Sequence, residues 1–266
     1  MAVRLDSLVV QKKLISSREK AKDHILSGLV TVNGTVCKKP SQQVDENSDI
    51  IITGEILKYV GRGGLKLEKA IYIFNLNLKD KVCADIGAST GGFTDCMLQN
   101  GAKKVYAVDV GHDQLAEKLC KDSRVVNLEG INVRYLTEEQ INEKLDFISV
   151  DVSFISLTLV LPVLKQFLAK SGEMVCLIKP QFEAGKSQVG KKGVVKSQNS
   201  HIEVLNKIIC FVEELDMNIR DLTYSPIKGP EGNIEYLIYI NSDEKKKFIF
   251  DIKSFVNSAF NSLKNN

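Results

Sequence analysis

Val82-Cys83-Ala84-Asp85-Ile86 runs directly into Gly87-Ala88-Ser89-Thr90-Gly91-Gly92-Phe93. The first five residues are apolar apart from one acid, which predicts a short strand buried on both faces. The small-residue run that follows predicts a tight turn opening a helix over 93–100. Small side chains let a ligand approach the backbone there, and a helix N-terminus offers it unpaired N–H groups. The segments on either side determine the fold and the ligand.

Outward from this stretch, strands and helices alternate. A helix is predicted over 65–74, strands over 105–108 and 147–150, a strand starting at 125–126, and another over 174–178. Helices are predicted between them over 115–120 and 157–168. This is the pattern of a doubly wound α/β fold. A helix over 202–215 and two strands over 219–224 and 235–240 follow, the strands close enough to pair antiparallel. Phe248, Ile252, Phe255, Val256 and Phe260 trace a terminal amphipathic helix.

Four readings compete around the glycine loop, one of them resting on a decoy downstream. A dinucleotide fingerprint needs glycine where Ser89 stands. Gly87-Ala88-Ser89-Thr90-Gly91 matches a nucleophile elbow, but that chemistry needs a later acid and then a histidine. Neither His112 nor His201 lies in a recognisable turn after a late strand. Gly185-Lys186-Ser187 mimics the end of a P-loop, but Pro180 occupies the place of its first glycine. An S-adenosylmethionine site fits best. It calls for an acid at the end of the first strand (Asp85), a small-residue loop, and an acid at the end of the second strand (Asp109). Asp109 would accept from the ribose hydroxyls, and the loop Gly87, Ala88, Ser89, Thr90, Gly91 and Gly92 would pass under the methionine part.

Polar residues stand where strands of this fold usually carry apolar ones. Asp151 ends the fourth strand, Lys179 ends the fifth, Glu235 begins a late strand, and Lys66 sits on the helix entering the domain. Ligands bind beyond the carboxyl ends of strands in open sheets, so the set is aimed at the crevice of the glycine loop. Charged strand ends are common one at a time; four around one proposed methyl donor carry the signal. Gly185 to Lys196 adds a loop with four lysines beside that crevice, equally readable as a solvated loop.

Residues 1–54 read as a separate small unit, 55–62 as a linker, and 63–266 as the α/β domain. Leu5, Leu8, Val9 and Leu14 recur at helical spacing, and Ser16-Ser17-Arg18-Glu19 fits a capping box before a second helix closed by Gly28. Asn33-Gly34 between Val30-Thr31-Val32 and Thr35-Val36 is a strong hairpin signal, and residues 49–52 read as a closing strand. Residues 1–39 carry eight Lys or Arg against three acids, a net +5. In the linker, Tyr59 and Arg62 beside Gly61, Gly63 and Gly64 read as exposed.

Over all 266 residues the net charge is only +3, so a nucleic-acid partner rests on where charge lies, not on its total. With 44% hydrophobic residues the chain can bury a large core, which excludes global disorder. Six cysteines without a C-x-x-C pair read as reduced thiols of a cytoplasmic protein. The charged N-terminus is no signal peptide, and no apolar run is long enough to span a membrane. No metal-ligand spacing stands out, and a monomer is the default expectation.

Ser17-Arg18-Glu19-Lys20-Ala21, Gly28-Leu29-Val30-Thr31-Val32-Asn33-Gly34 and Lys39-Pro40 resemble the αL RNA-binding domain of small-subunit ribosomal proteins and pseudouridine synthases. That resemblance implies phosphate contacts to structured RNA through Arg4, Arg18, Lys20, Lys22, Lys38 and Lys39, with Arg62 in the linker. Lys66, Asp151, Lys179 and Glu235, taken with the glycine loop, resemble ribose 2′-O-methyltransferases of the FtsJ type. Val152-Ser153-Phe154-Ile155-Ser156-Leu157 and Lys179-Pro180-Gln181-Phe182-Glu183 narrow the resemblance to the TlyA family.

The resemblance implies a Rossmann-like S-adenosylmethionine-dependent domain behind a small α+β RNA-binding domain. It also implies a cytidine of ribosomal RNA as substrate, in the large subunit and in some members the small one. Lys179 is expected to act as base. Lys66 would favour its neutral form, while Asp151 and Glu235 would orient both lysines and oppose that effect. The adenine contact is the least defined, because Glu129-Gly130-Ile131-Asn132 follows the third strand; Asn132 is the expected residue. Family members have also carried the name haemolysin. A membrane-active protein and an inactive RNA-binding module are the alternatives to an enzyme.

Overall fold

The computed structural model describes residues 2–26, 28–54, 58–229, 231–243 and 248–263, and the side chains of Glu19 and Asp23 lie outside that description. The chain divides into two compact units, Met1–Lys58 and Tyr59–Asn266.

In the first unit β1 (Ala2–Arg4) leads into α1 (Leu5–Gln11) and α2 (Arg18–Leu26). Then come β2 (Val30–Val32), β3 (Thr35–Val36), β4 (Gln43–Asp45) and β5 (Ile50–Ile52). Asn33 and Gly34 both take positive φ, 49° and 78°, so the hairpin turn closes with Val32 opposite Thr35. β2 also pairs antiparallel with β5, and β1 with β4. The apolar faces of both helices meet this small sheet through Leu5, Leu8, Val9, Ala21, Ile25 and Val30. The cap of α2 falls one residue later than expected: the Ser17 hydroxyl, not that of Ser16, accepts the N–H of Lys20 at 3.3 Å.

The second unit begins with α3 (Gly64–Ile73), β6 (Val82–Ile86), α4 (Gly92–Gln99), β7 (Lys104–Asp109), a short α5 (Glu117–Cys120) and β8 (Val125–Glu129). It continues with β9 (Leu145–Val150), α6 (Leu157–Phe167), β10 (Leu168–Ile178), α7 (Pro180–Glu183), α8 (Gln198–Glu214), β11 (Asn218–Tyr224), β12 (Tyr236–Asn241) and α9 (Ile252–Ser262). Seven strands form one sheet in the order β11-β12-β10-β9-β6-β7-β8. The strands from β6 through β10 are parallel, and β12 and β11 add antiparallel at the edge, as expected.

Both sheet faces are covered, which is why the strands lack a polar stripe. Ala84, Ile86, Tyr106, Val108, Ile148 and Val150 pack on the face carrying α6, α8 and α9. Cys83, Val105, Ala107, Phe147 and Val175 pack on the face carrying α3 and α4. Phe248 precedes α9 instead of belonging to it, and packs against the core from there.

Of the expected linker, residues 55–57 lie outside the described residues. Tyr59 is buried at 2% exposure, against the sequence expectation; its hydroxyl donates to Glu68 at 3.0 Å. The next residue is pinned by Val60 N donating to Asp95 Oδ2 at 2.9 Å. An aromatic residue beside three glycines reads as loop, but those glycines let it fold back: a Cβ on Gly64 would overlap the Tyr59 ring. Arg62 is exposed, as expected. Among the described residues no helix is long and apolar enough to cross a membrane, and no His/Cys/Asp/Glu group is placed to hold a metal ion.

Candidate active site

Strand order reverses between β6 and β9, and the crevice beyond their carboxyl ends is where such sheets bind ligands. Gly87 leaves β6 with φ +84°, and a Cβ there would lie 2.5 Å from the Asp151 carbonyl oxygen beyond β9. Only glycine allows that approach. Asp85 sits behind the loop, fully buried. Its Oδ2 accepts the Thr94 N–H (2.8 Å) and hydroxyl (2.7 Å), and its Oδ1 accepts the Ser149 hydroxyl (3.2 Å). Burial, partly offset by those bonds, pushes its pKa up to about 7. Asp85 therefore ties the start of α4 to the sheet as well as lining the crevice.

Asp109 ends β7. Its carboxylate accepts the N–H groups of Ser89 (2.8 Å) and Gly111 (2.7 Å), which holds the loop in place and leaves each oxygen a further lone pair. Glu129, the last residue of β8, accepts the N–H groups of Gln114 (2.6 Å) and Leu115 (3.0 Å) on Oε1 and the Asn127 amide (2.9 Å) on Oε2. Asn132 accepts the N–H of Arg134 at 3.1 Å and lines the crevice beside Ile131 and Val133.

Two cavities open here. One, of about 720 Å³, is walled by Val108, Asp109, Val110, Ile131, Asn132 and Val133. The other, of about 740 Å³, is walled by the glycine loop, Lys66, Lys179, Glu235 and Arg62. Gly87, Ser89, Asp151, Ser153, Phe154 and Phe182 line both, so the cavities meet over the end of β9.

At that junction four charged side chains form one line. Glu235 Oε2 meets Lys66 Nζ at 2.7 Å, Lys66 Nζ lies 3.5 Å from Asp151 Oδ2, and Asp151 Oδ1 meets Lys179 Nζ at 2.5 Å. Lys179 also donates to the Ser153 hydroxyl at 3.0 Å, and Gln181 Nε2 to Glu235 Oε1 at 3.4 Å. Burial pulls the Lys66 pKa down, but Asp151 and Glu235 outweigh it, and the net shift is upward. Lys66 is therefore a fixed ammonium.

The serine-hydrolase alternative loses its histidine. Among the described residues no histidine hydrogen-bonds Ser89, whose N–H goes to Asp109. His201 is fully buried: Nε2 donates to the Val195 carbonyl at 2.9 Å, so Nδ1 accepts the Tyr236 hydroxyl at 2.8 Å. Burial lowers its pKa and favours this neutral form.

In the first unit Arg4 and Arg18 converge on one buried carboxylate. Arg4 binds both oxygens of Asp6 at 3.1 and 2.8 Å, and Arg18 reaches them at 3.4 and 3.3 Å. Hydrogen bonds from Arg4 first, and then Arg18, hold Asp6 at a pKa of about 2 against its burial. Lys20, Lys22, Lys38 and Lys39 are exposed.

Comparison with known proteins agrees with this geometry. A model of the FtsJ-like methyltransferase matches residues 59–242, and one of the S4 domain matches residues 3–50. The chain belongs to the FtsJ-like methyltransferase family. The match starts where Tyr59 enters the core of the second unit. YqxC of Bacillus subtilis (strain 168) is 48% identical over 90% of this chain and 85% of its own. The 16S/23S rRNA (cytidine-2′-O)-methyltransferase TlyA of Mycobacterium tuberculosis (strain ATCC 25618 / H37Rv) is 38% identical over 90% of each chain. A solved structure from Streptococcus thermophilus, named for a hemolysin, superposes with a TM-score of 0.78 at 44% identity, over 99% of this chain and 98% of that one.

Several residues of this FtsJ-like site are not marked out by the sequence as parts of it. Ser153 contacts Lys179. Asn233 accepts Val195 N–H at 3.1 Å and donates to the Gly193 carbonyl at 2.8 Å, which fastens the lysine loop at the rim of the larger cavity. Glu183 accepts the Ser156 hydroxyl (2.6 Å) and Leu157 N–H (2.7 Å), which joins the two motifs that carry Lys179 and Asp151. Ser153, Ser156 and Glu183 stand inside quoted motifs, so only their partners are hidden in the sequence. Asn233 gives no signal there.

Proposed function

We propose that this chain transfers a methyl group from S-adenosylmethionine to the ribose 2′-hydroxyl of a cytidine in ribosomal RNA, in the large subunit and by extension the small one, within the cytoplasm. The observation that carries the reading is the Glu235–Lys66–Asp151–Lys179 line at the junction of two cavities, one suited to a nucleoside and one open beside it.

The smaller cavity fits the donor's nucleoside. Asp109 has lone pairs for two ribose hydroxyls, Asn132 offers an amide, and Val110, Ile131 and Val133 offer an apolar slot for a flat base. The close approach of the glycine loop at Gly87 leaves backbone, not side chains, for the remainder. When bound, such a donor supplies an electrophilic methyl group on a sulfonium sulfur.

The chain's own residues then position the acceptor and remove one proton. Asp151 bridges both lysines and fixes where each ammonium or amine stands. Lys66, held charged by two carboxylates, suits an electronegative atom of the acceptor ribose or its phosphate. Lys179, which lines the cavity that also holds Lys66 and Glu235, first gives up its own proton to solvent and then, as the neutral amine, takes the hydroxyl proton as the ribose oxygen gains the methyl. Glu235, backed by Gln181, holds Lys66 from behind. The S4 match and the Arg4–Asp6–Arg18 cluster support RNA contact by the first unit, with Lys20, Lys22, Lys38 and Lys39 as further phosphate contacts. The name borne by the M. tuberculosis relative supports ribosomal RNA cytidine as target.

The test is methyl transfer from labelled donor to purified 30S and 50S subunits, with mapping of 2′-O-methylated positions. Transfer to one ribosomal cytidine, abolished in Lys179→Met while donor binding persists, is expected. Full activity in Lys179→Met would remove Lys179 from its role.

A further inference from the structure

We infer that Ser153 is a positioning residue for methyl transfer: its hydroxyl, together with Asp151, fixes the direction in which the Lys179 amine faces the acceptor. The inference rests on the proposed role of Lys179 as base and adds a residue outside the four charged ones.

A lysine nitrogen is tetrahedral. One vertex is its own Cε, and the other three hold N–H bonds or, in the neutral amine, two N–H bonds and one lone pair. In Lys179 one vertex is taken by Asp151 Oδ1 at 2.5 Å and a second by Ser153 Oγ at 3.0 Å. One vertex is left over. With Asp151 alone, the lone pair of the amine would have two equivalent vertices to occupy. With Ser153 accepting an N–H it has one. A base whose lone pair points in a single direction has no rotation to lose on reaching the transition state.

The backbone around Ser153 is built to hold that hydroxyl in place. Phe154 follows it with φ +62°, in the left-handed region that a bulky aromatic residue rarely adopts. Such an outlier persists only where its surroundings over-determine it, and here they do. Asp151 N–H is anchored to the Ile86 carbonyl at 2.8 Å before the turn, and Glu183 grips Ser156 and Leu157 after it. Between the anchors the Phe154 ring, itself 90% exposed, rests on Phe182 with centroids 4.9 Å apart. The strained residue thus lies next to the hydroxyl that touches Lys179, and Ser153 lines both cavities.

The test uses the full chain in single-turnover methyl transfer to 30S and 50S subunits from cells lacking the enzyme, comparing wild type, Ser153→Ala and Ser153→Thr. S-adenosylmethionine affinity is measured in parallel by calorimetry. Ser153 is exposed, so neither variant threatens the fold. The rate is expected to fall about 3- to 10-fold in Ser153→Ala, the effect of removing one hydrogen bond. Donor Kd and the half-saturating subunit concentration are expected to stay put, and threonine to restore most of the rate. An unchanged rate in Ser153→Ala overturns the inference. So does a deficit that appears in donor affinity, or a threonine variant no better than alanine. A wild-type chain inert on both subunits would overturn the underlying reading as well, and the wild-type control separates that failure from the others.

Discussion

The four charged groups at the cavity junction are two cations and two anions, so the line as a whole is neutral. That neutrality sets the outcome of a double-mutant cycle on Lys66 and Glu235. Their side chains are 9% and 1% exposed and meet at 2.7 Å. Replacing Lys66 by Met leaves the buried Glu235 carboxylate facing a neutral partner, the Gln181 amide, and the line carries one net negative charge. Replacing Glu235 by Leu leaves Lys66 with the Asp151 carboxylate at 3.5 Å and one net positive charge on the line. Breaking a buried pair by removing one partner costs about 3–5 kcal/mol, most of it the stranded charge. Independent effects would therefore sum to about 6–10 kcal/mol.

The double variant strands nothing, because Asp151 and Lys179 still neutralise each other at 2.5 Å. It is expected to cost about 3 kcal/mol or less, a coupling of at least about 3 kcal/mol. The assay is urea unfolding of all four proteins, followed by near-ultraviolet circular dichroism of the larger unit. Methyl transfer in the double variant should be abolished even though most of the stability returns. A double variant whose cost equals the sum of the singles would refute the reasoning, because Lys66 and Glu235 would then not share one electrostatic fate.

Asp85 gives a pH test. Its folded pKa, about 7, lies above its unfolded value near 3.8, so the native state binds more protons in between, and its contribution weakens stability as pH rises through that window. Asp85→Asn should therefore gain stability relative to wild type between pH 4 and 7 and level off above; a carboxyl ¹³C titration with its midpoint below pH 5 would contradict this. Charge reversal at Arg18 and Lys20 should weaken RNA binding and make the slope of log K against log salt shallower by about 1 for each phosphate no longer neutralised; an unchanged slope would take those residues off the RNA.

The alternation of elements was legible because it rests on local periodicity. Strand cores such as Val82-Cys83-Ala84-Asp85-Ile86 are apolar but for one acid, and the structure shows why: Val82, Ala84 and Ile86 enter one core and Cys83 the other, on opposite sheet faces. The line of four charges was legible for the complementary reason. Asp151 and Lys179 follow the carboxyl ends of buried strands, Glu235 precedes a strand and Lys66 sits on the entering helix; each alone is commonplace, and it is their joint placement around one crevice that could be read from the chain. Helix boundaries proved less legible, and the cap of α2 moved by one residue because Ser16 and Ser17 offer chemically equal hydroxyls.

Features that depend on which distant group a side chain meets stayed hidden. Tyr59 reads as exposed until Gly64 is seen to make room for its ring. That Glu129 accepts the Gln114 and Leu115 N–H groups is not readable from its place in the chain. Arg4 and Arg18 read as two free cations on a basic face, yet Asp6 gathers both. The same carboxylate that partly neutralises them also fixes two guanidinium groups side by side, which exposed and independent arginines would not be. A buried acid beneath surface arginines therefore exchanges some charge for geometry, and geometry is what a folded RNA backbone, with its phosphates at fixed spacing, rewards.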